Sequence, residues 1–165
     1  MKKVIFGLLI FGFTAQMNSQ TIELKEVEVV ANYNYIEATN TTTEALPVQK
    51  IQGKVSDYKA NNQAIDEYGD VAYSISFYNS DGKVLADYNT EGKILRTTEK
   101  YKNVRLPLEV LQAIATEFPN WMILEDTYHV IYESDKGITR KIYKIKLMNN
   151  DKVLNVKTNH TGEFI

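Results

Sequence analysis

Residues 73–100 read YSISFYNSDGKVLADYNTEGKILRTTEK, and this stretch decides the fold. Tyr73, Ile75 and Phe77 alternate with serines, which is the period-two pattern of a strand with one buried face. Two turns rich in Asn and Gly follow, and Asp-Gly favours the positive φ angles of a tight hairpin. The predicted order is strand 73–77, turn 79–82, strand 84–88, turn 89–92 and strand 93–100. We therefore expect an antiparallel meander.

The segment after this meander predicts a helix that begins at Leu106-Pro107, since proline is tolerated in the first helical turn. Pro119 is expected to end it. The predicted apolar face consists of Leu108, Leu111, Ile114, Ala115 and Phe118. Phe118 and Trp121 are expected in the core where this helix meets the sheet. Three further strands are predicted at 121–132, 139–148 and 153–158.

The segment before the meander is less regular. Residues 21–36 alternate Val with Glu, which predicts one or two strands, and residues 37–45 read as a loop. Apolar residues at 48, 51, 55 and 58 have helical spacing, whereas residues 59–70 are polar and predict a connection. The expected fold class is α+β, an antiparallel sheet with one face covered by one or two helices.

The two halves of the sequence also resemble each other. A shift of 70 residues places Tyr73, Ile75 and Phe77 on Tyr143, Ile145 and Leu147. A shift of 60 places Leu46-Pro47 on Leu106-Pro107. Either a duplicated α-β-β-β unit or a chance similarity of two amphipathic meanders accounts for this match, and the matching turns favour duplication. The predicted organisation is a leader (1–19), an N-terminal strand and linker (20–45), a first repeat (46–100) and a second repeat (101–165).

The second repeat resembles the PepSY-like domains of exported Bacteroidetes proteins, which are related in fold to the β-lactamase-inhibitor protein. The resemblance rests on the helix opening at 106–114, its exit at 117–121, and the strand at 141–147 with the Asn-Asp turn and Gly162 after it. It covers residues 70–165 well and 46–69 weakly. The family has no established catalytic residues, so the resemblance implies a secreted or periplasmic binding or inhibitor-like module.

The N-terminus predicts export. Lys2 and Lys3 precede an uncharged run at 4–15, which has the length of a signal-peptide core and is too short to span a bilayer. A buried N-terminal helix or strand is the alternative. We expect cleavage after Ser19 and a mature protein in the periplasm or outside the cell.

Composition excludes several kinds of chemistry. The chain has no cysteine, so disulfides, thiolate metal sites and a cysteine nucleophile are absent. Its net charge is −2 and becomes −4 once Lys2 and Lys3 leave with the leader, which argues against a nucleic-acid partner. His129 and His160 are not paired in sequence and are expected to be structural or solvated. No metal and no cofactor are expected, and nothing after the leader predicts a membrane span.

The sequence contains no catalytic motif, so we expect a binding module with a protein partner in the envelope or outside the cell. Eleven tyrosines are the one compositional excess; strand packing explains most of them, and an aromatic recognition face is the alternative. Tyr78 and Tyr88 are the candidate binding residues. A periplasmic enzyme with unrecognised acid and base carboxylates remains the alternative function. The charged strand side chains are expected to be solvated: the basic residues Arg140, Lys144 and Lys146 and the acidic residues Glu91, Glu99 and Glu133.

Overall fold

A computed structural model describes residues 27–39, 44–58 and 73–165 of the chain. The predicted leader (1–19) and connection (59–70) lie outside these residues. The elements are α1 (Val27–Thr39), α2 (Leu46–Ser56), β1 (Tyr73–Tyr78), β2 (Gly82–Tyr88), β3 (Ile94–Lys102), α3 (Leu108–Glu117), β4 (Met122–Glu133), β5 (Gly137–Asn149) and β6 (Lys152–Asn159). The predicted α+β class is confirmed.

The strands form one antiparallel meander in the order β1-β2-β3-β4-β5-β6. Phe164 adds an isolated bridge to Thr158 at the β6 edge. The boundary expected between the two repeats, at residue 100, falls inside β3, which pairs with both β2 and β4. Both halves of the chain therefore contribute to a single sheet.

All three helices contribute to the core on one face of this sheet, which we call the inner face. α2 lies against β1 and β2, and α1 lies against β3, β4 and β5. α3 makes only sparse contact with the strands and packs near the turn after β6, where the backbone of Glu109 approaches Gly162. The opposite side of the sheet, which we call the outer face, carries none of the described helices.

The expected strand over residues 27–36 is wrong, because α1 occupies this segment. The Val-Glu alternation imitates a strand, but the side chains that turn inward further along are Asn32, Tyr35, Ile36 and Thr39. Their spacing of three, four and seven is that of one helix face. Asn32 fixes the helix in place: its Nδ2 donates to the Ser56 carbonyl at 2.8 Å, and its Oδ1 accepts from the Ile94 amide at 3.3 Å.

α3 exists where expected, but its buried face differs. Val110 and Ile114 are buried, whereas Leu108 is 64% and Leu111 is 41% exposed. Pro107 stands at the N-cap, one position before the first helical residue. Phe118 and Trp121 are only partly buried and pack at the margin of the core, with their ring centroids 6.3 Å apart. The predicted core position of these two rings is therefore too deep.

The internal match is visible in one pair of turns. Asn89 Oδ1 accepts from the amides of Glu91 and Lys93, and Asn159 Oδ1 accepts in the same way from Thr161 and Glu163. Each turn has a glycine with positive φ three residues after its asparagine, +78° at Gly92 and +87° at Gly162. The geometry is consistent with duplication, which stays a prediction.

Candidate functional site

The outer face is the side of the sheet that the described helices leave uncovered, and it is basic. Strand alternation and register place these basic side chains on it: Lys83, Arg96, Lys100, Lys102, Arg140, Lys144, Lys146 and Lys157. Its acidic side chains are Asp87, Glu125 and Glu133. A chain of net charge −2 thus carries a face with an excess of positive charge.

The centre of this face holds what we call the cationic cluster: Lys83, Lys100, Arg140 and Lys144, grouped around His129. Lys83 lies directly opposite Lys100, which in turn lies opposite His129. Arg140 and Lys144 flank Ile142, the β5 partner of His129. Neighbouring strands are about 4.8 Å apart, so these charges lie close to one another. All four basic side chains are exposed.

The cations act on the histidine between them. Partial burial, and then the positive charges of Lys144, Lys100 and Arg140, lower the pKa of His129 below its ordinary value. Beside it lies a hollow of about 90 Å³ lined in part by Thr98, Ile131 and Ile142. The site is therefore a shallow depression with an aliphatic floor and a cationic rim.

The structure separates the two tyrosines that the sequence analysis selected. Tyr78 is 77% exposed on the outer face at the β1 edge, opposite Lys83. Tyr88 is fully buried on the inner face: its ring stacks on Tyr73 with centroids 5.2 Å apart, and its hydroxyl donates to the Val55 carbonyl at 2.7 Å. The prediction that Tyr88 is a binding residue is therefore wrong, because a side chain in the core cannot reach a partner.

Core packing accounts for most of the other strand tyrosines, as the simpler interpretation expected. Tyr101, Tyr128, Tyr132 and Tyr143 are buried on the inner face. Tyr128 and Tyr143 are stacked with centroids 4.4 Å apart. Burial raises the pKa of each of these phenols, so they stay protonated. Tyr101 donates a hydrogen bond to Glu99, and Tyr128 donates one to Glu44.

Glu99 is the largest departure from expectation, because it is fully buried rather than solvated. Its Oε1 accepts from Tyr35 at 2.8 Å and Thr97 at 2.7 Å, and its Oε2 accepts from Gln52 Nε2 at 2.9 Å and Tyr101 at 2.7 Å. Tyr35 lies on α1 and Gln52 on α2. One carboxyl group therefore ties both helices to the sheet.

A second polar contact joins the end of α1 and Glu44, two residues before α2, to β4 and β5. Glu44 Oε1 accepts from Lys141 Nζ at 2.8 Å and from the Tyr128 hydroxyl at 2.9 Å. Lys141 Nζ also donates to the Thr39 carbonyl at the end of α1, at 3.0 Å, where a cation is favourable. This group fixes the helix ends and is occupied by structural contacts.

The other buried acid among the described residues is Asp126, whose Oδ1 accepts from the Val104 amide at 3.3 Å. Burial raises its pKa to about 6, although that hydrogen bond opposes the shift. It lies apart from the cationic cluster, on the inner side of the sheet. In the part of the chain that the structure describes, no three His, Asp or Glu side chains converge as a metal site would require. Within the same residues, no helix is long and apolar enough to cross a membrane.

The sequence analysis missed the cationic cluster because it set basic strand residues against acidic ones without knowing the strand register, which decides which side chains share a face. Glu99 was counted against Arg140 and Lys144, yet alternation from Thr97 and Tyr101 places Glu99 on the inner face. Glu91 lies in a turn, outside the strands. Of the three acids only Glu133 shares the outer face, so the positive charges are largely unbalanced. The alternation of charge with buried residues in β3 is the signal that could have shown this.

Comparisons of the sequence with protein-family models and with curated proteins give no match.

Proposed function

We propose that this protein is an exported, non-enzymatic binding module that recognises another envelope or secreted protein through its outer sheet face. The observation that carries the proposal is the one-sided architecture: the described helices cover the inner face, and the outer face presents exposed side chains across six strands. A broad face with a shallow hollow suits recognition of a partner surface, since small-molecule sites are usually deep and concave.

Three further observations agree with this function. Tyr78 supplies an exposed aromatic at the rim of the face, and tyrosine is enriched at protein interfaces. Buried Glu99 and half-buried Glu44 are engaged in fold-stabilising hydrogen bonds, so they are poor candidates for acid–base catalysis. The resemblance to PepSY-like domains also implies a binding or inhibitor-like role.

Export is part of the proposal and has its own test. The charged N-terminus and short apolar run of residues 1–19 predict cleavage after Ser19. Mass spectrometry of the native protein, with cell fractionation, should show a chain that begins at Gln20 outside the cytoplasm. A chain that retains Met1 in the cytosol would contradict export.

Photo-crosslinking in producing cells tests the recognition surface. A benzophenone residue replaces Thr98, which is exposed at the centre of the outer face, and a matched variant carries it at Gln112, which is exposed on α3. We expect one discrete protein adduct from position 98 and none from position 112. Equal adducts from both positions, or none from position 98, would count against the outer face as the recognition surface.

A further inference from the structure

The outer-face lysines in and beside the cationic cluster repel one another and so destabilise the fold, which distinguishes the cluster from a solvated strand face of balanced charge. Lys83 lies directly opposite Lys100, and Lys144 directly opposite Lys157. Like charges in such cross-strand positions are destabilising. Among the described residues, the ion pairs involve other lysines, namely Lys136, Lys141 and Lys146.

The acidic residues of the outer face stand away from the cluster and are engaged. Asp87 accepts a hydrogen bond from Ser74 Oγ, Glu133 pairs with Lys136, and Glu125 pairs with Lys146. Glu133 and Glu125 are each four residues from His129 along β4, which is about 13 Å in a strand. Along β4 the cluster is therefore flanked by one carboxylate on each side, which favours a short anionic segment over a long polyanion lying along the strands.

The hollow limits what else the ligand can be. Its volume of about 90 Å³ is well below the roughly 150 Å³ of an enclosed cavity that holds benzene, so it can seat the tip of an aliphatic side chain but cannot enclose a nucleobase. Single-stranded nucleic acid also needs aromatic platforms for stacking. The exposed tyrosine of this face, Tyr78, lies at the edge of the sheet, away from His129, so it offers no stacking platform beside the hollow.

We infer that the outer face binds a short, extended, acidic segment of the partner protein, with carboxylates over Lys100, Arg140 and Lys144 and one aliphatic side chain in the hollow beside Ile131 and Ile142. This inference rests on the proposed function and names the chemistry of the partner. Charge complementarity supplies the attraction and the encounter rate. The aliphatic floor adds apolar contact area that a purely ionic surface lacks.

The test uses the mature chain and two synthetic peptides with blocked ends, Glu-Glu-Leu-Glu-Glu and its uncharged counterpart Gln-Gln-Leu-Gln-Gln. Titration is followed by ¹⁵N chemical shifts at low salt. The acidic peptide should shift the amides of Thr98, Lys100 and Ile142, and it should raise the pKa of His129 because carboxylates then offset the cations around it. The uncharged peptide should bind at least about fivefold more weakly.

Two double variants of equal charge change separate the site from general electrostatics. Lys100→Ala with Lys144→Ala should weaken binding of the acidic peptide roughly fivefold, since it removes two exposed charge partners of the peptide carboxylates. Lys93→Ala with Lys152→Ala, at exposed positions away from the cluster, should stay within about twofold. The first variant should also unfold at no lower urea concentration than the wild type, because it removes like-charge repulsion.

Several results would overturn the inference. They are equal binding of the two peptides, equal loss in both variants, or tighter cluster-dependent binding of an oligothymidylate or of phosphatidylglycerol vesicles. The proposed function fails separately. If the residue-98 crosslink captures a protein that the Lys100→Ala, Lys144→Ala variant captures equally well, the acidic-segment inference is wrong and the recognition surface stands. If no adduct forms from position 98, the recognition surface itself is wrong.

Discussion

Glu99 offers the sharpest test of how the helices are held on the sheet. Glu99→Gln preserves the shape of the side chain, so it creates no cavity, but it replaces one accepting oxygen with an NH₂ group. Two of the four donors that surround Glu99 then face another donor. The Tyr101 hydroxyl can rotate to accept, whereas a donor left unsatisfied in the core costs about 1–3 kcal/mol.

We therefore expect Glu99→Gln to lower the free energy of unfolding by about 1–3 kcal/mol, against a total of roughly 5–15 kcal/mol for a domain of this size. Urea unfolding followed by far-UV circular dichroism measures the change. Glu91→Gln is the matched control, because Glu91 is exposed in a turn, and it should change stability by less than about 0.5 kcal/mol.

A double-mutant cycle with Tyr35→Phe then asks whether the loss arises at this contact. Tyr35→Phe alone should destabilise the protein, yet it should add less than its full effect to Glu99→Gln, because the neutral amide oxygen accepts the Tyr35 hydrogen bond less strongly than the carboxylate does. If Glu99→Gln were as stable as the wild type, or if the two changes were fully additive, the role given to Glu99 in tying α1 to the sheet would be refuted.

Three further predictions concern the inner face and the α3 end of the fold. The raised pKa of Asp126, about 6, means that the folded state binds its proton more tightly than the unfolded chain. The resulting stability is fully present below the unfolded pKa of about 4 and is lost as the pH rises to about 6, by up to about 3 kcal/mol. Asp126→Asn should therefore be the more stable protein at pH 7.5, with a flatter pH profile in urea unfolding; an unchanged profile contradicts the burial argument. Phe118→Ala should cost only about 1–2 kcal/mol, since the ring is partly buried, and should shift Trp121 emission to the red; unchanged emission argues against their contact. An alanine Cβ at Gly162 would lie 2.6 Å from a backbone oxygen of α3, so Gly162→Ala should destabilise the protein by about 2 kcal/mol or more. Gly137 has a similar φ but open space around it, so Gly137→Ala should cost about 1 kcal/mol. Equal losses of the two variants in thermal unfolding would contradict this packing.

Strand content and turns were predictable because they are local. The alternation at 73–77, the Asn-Gly turns and the Leu-Pro helix starts depend on residues close in sequence, and the structure follows them. α1 was missed because Val and Glu alternate at its start, and the i, i+3, i+4, i+7 set from Asn32 to Thr39 includes polar members. Asn32 and Thr39 turn inward because they bond to backbone groups, which a search for apolar periodicity overlooks.

The candidate site was less predictable, because it depends on strand pairing. Tyr78 and Tyr88 both looked like exposed meander tyrosines, yet the register opposes Tyr78 to Lys83 and Tyr73 to Tyr88, so the two lie on opposite faces. Glu99 looked solvated because its four donors are spread over α1, α2 and β3. The cationic cluster likewise unites residues from β2, β3 and β5, which are adjacent only once the sheet has formed.

Lysine footprinting tests the central claim, that the uncovered face of the sheet is the recognition surface, most directly. Envelope extracts that contain the native protein are treated briefly with an amine-acetylating reagent, before and after dissociation of its partner in high salt, and each lysine is quantified by mass spectrometry. The account predicts that Lys83, Lys100 and Lys144 are protected in the assembled state and exposed after dissociation, while Lys93 and Lys152 react equally in both. Protection of Lys93 and Lys152 with full reactivity of the three outer-face lysines would contradict it.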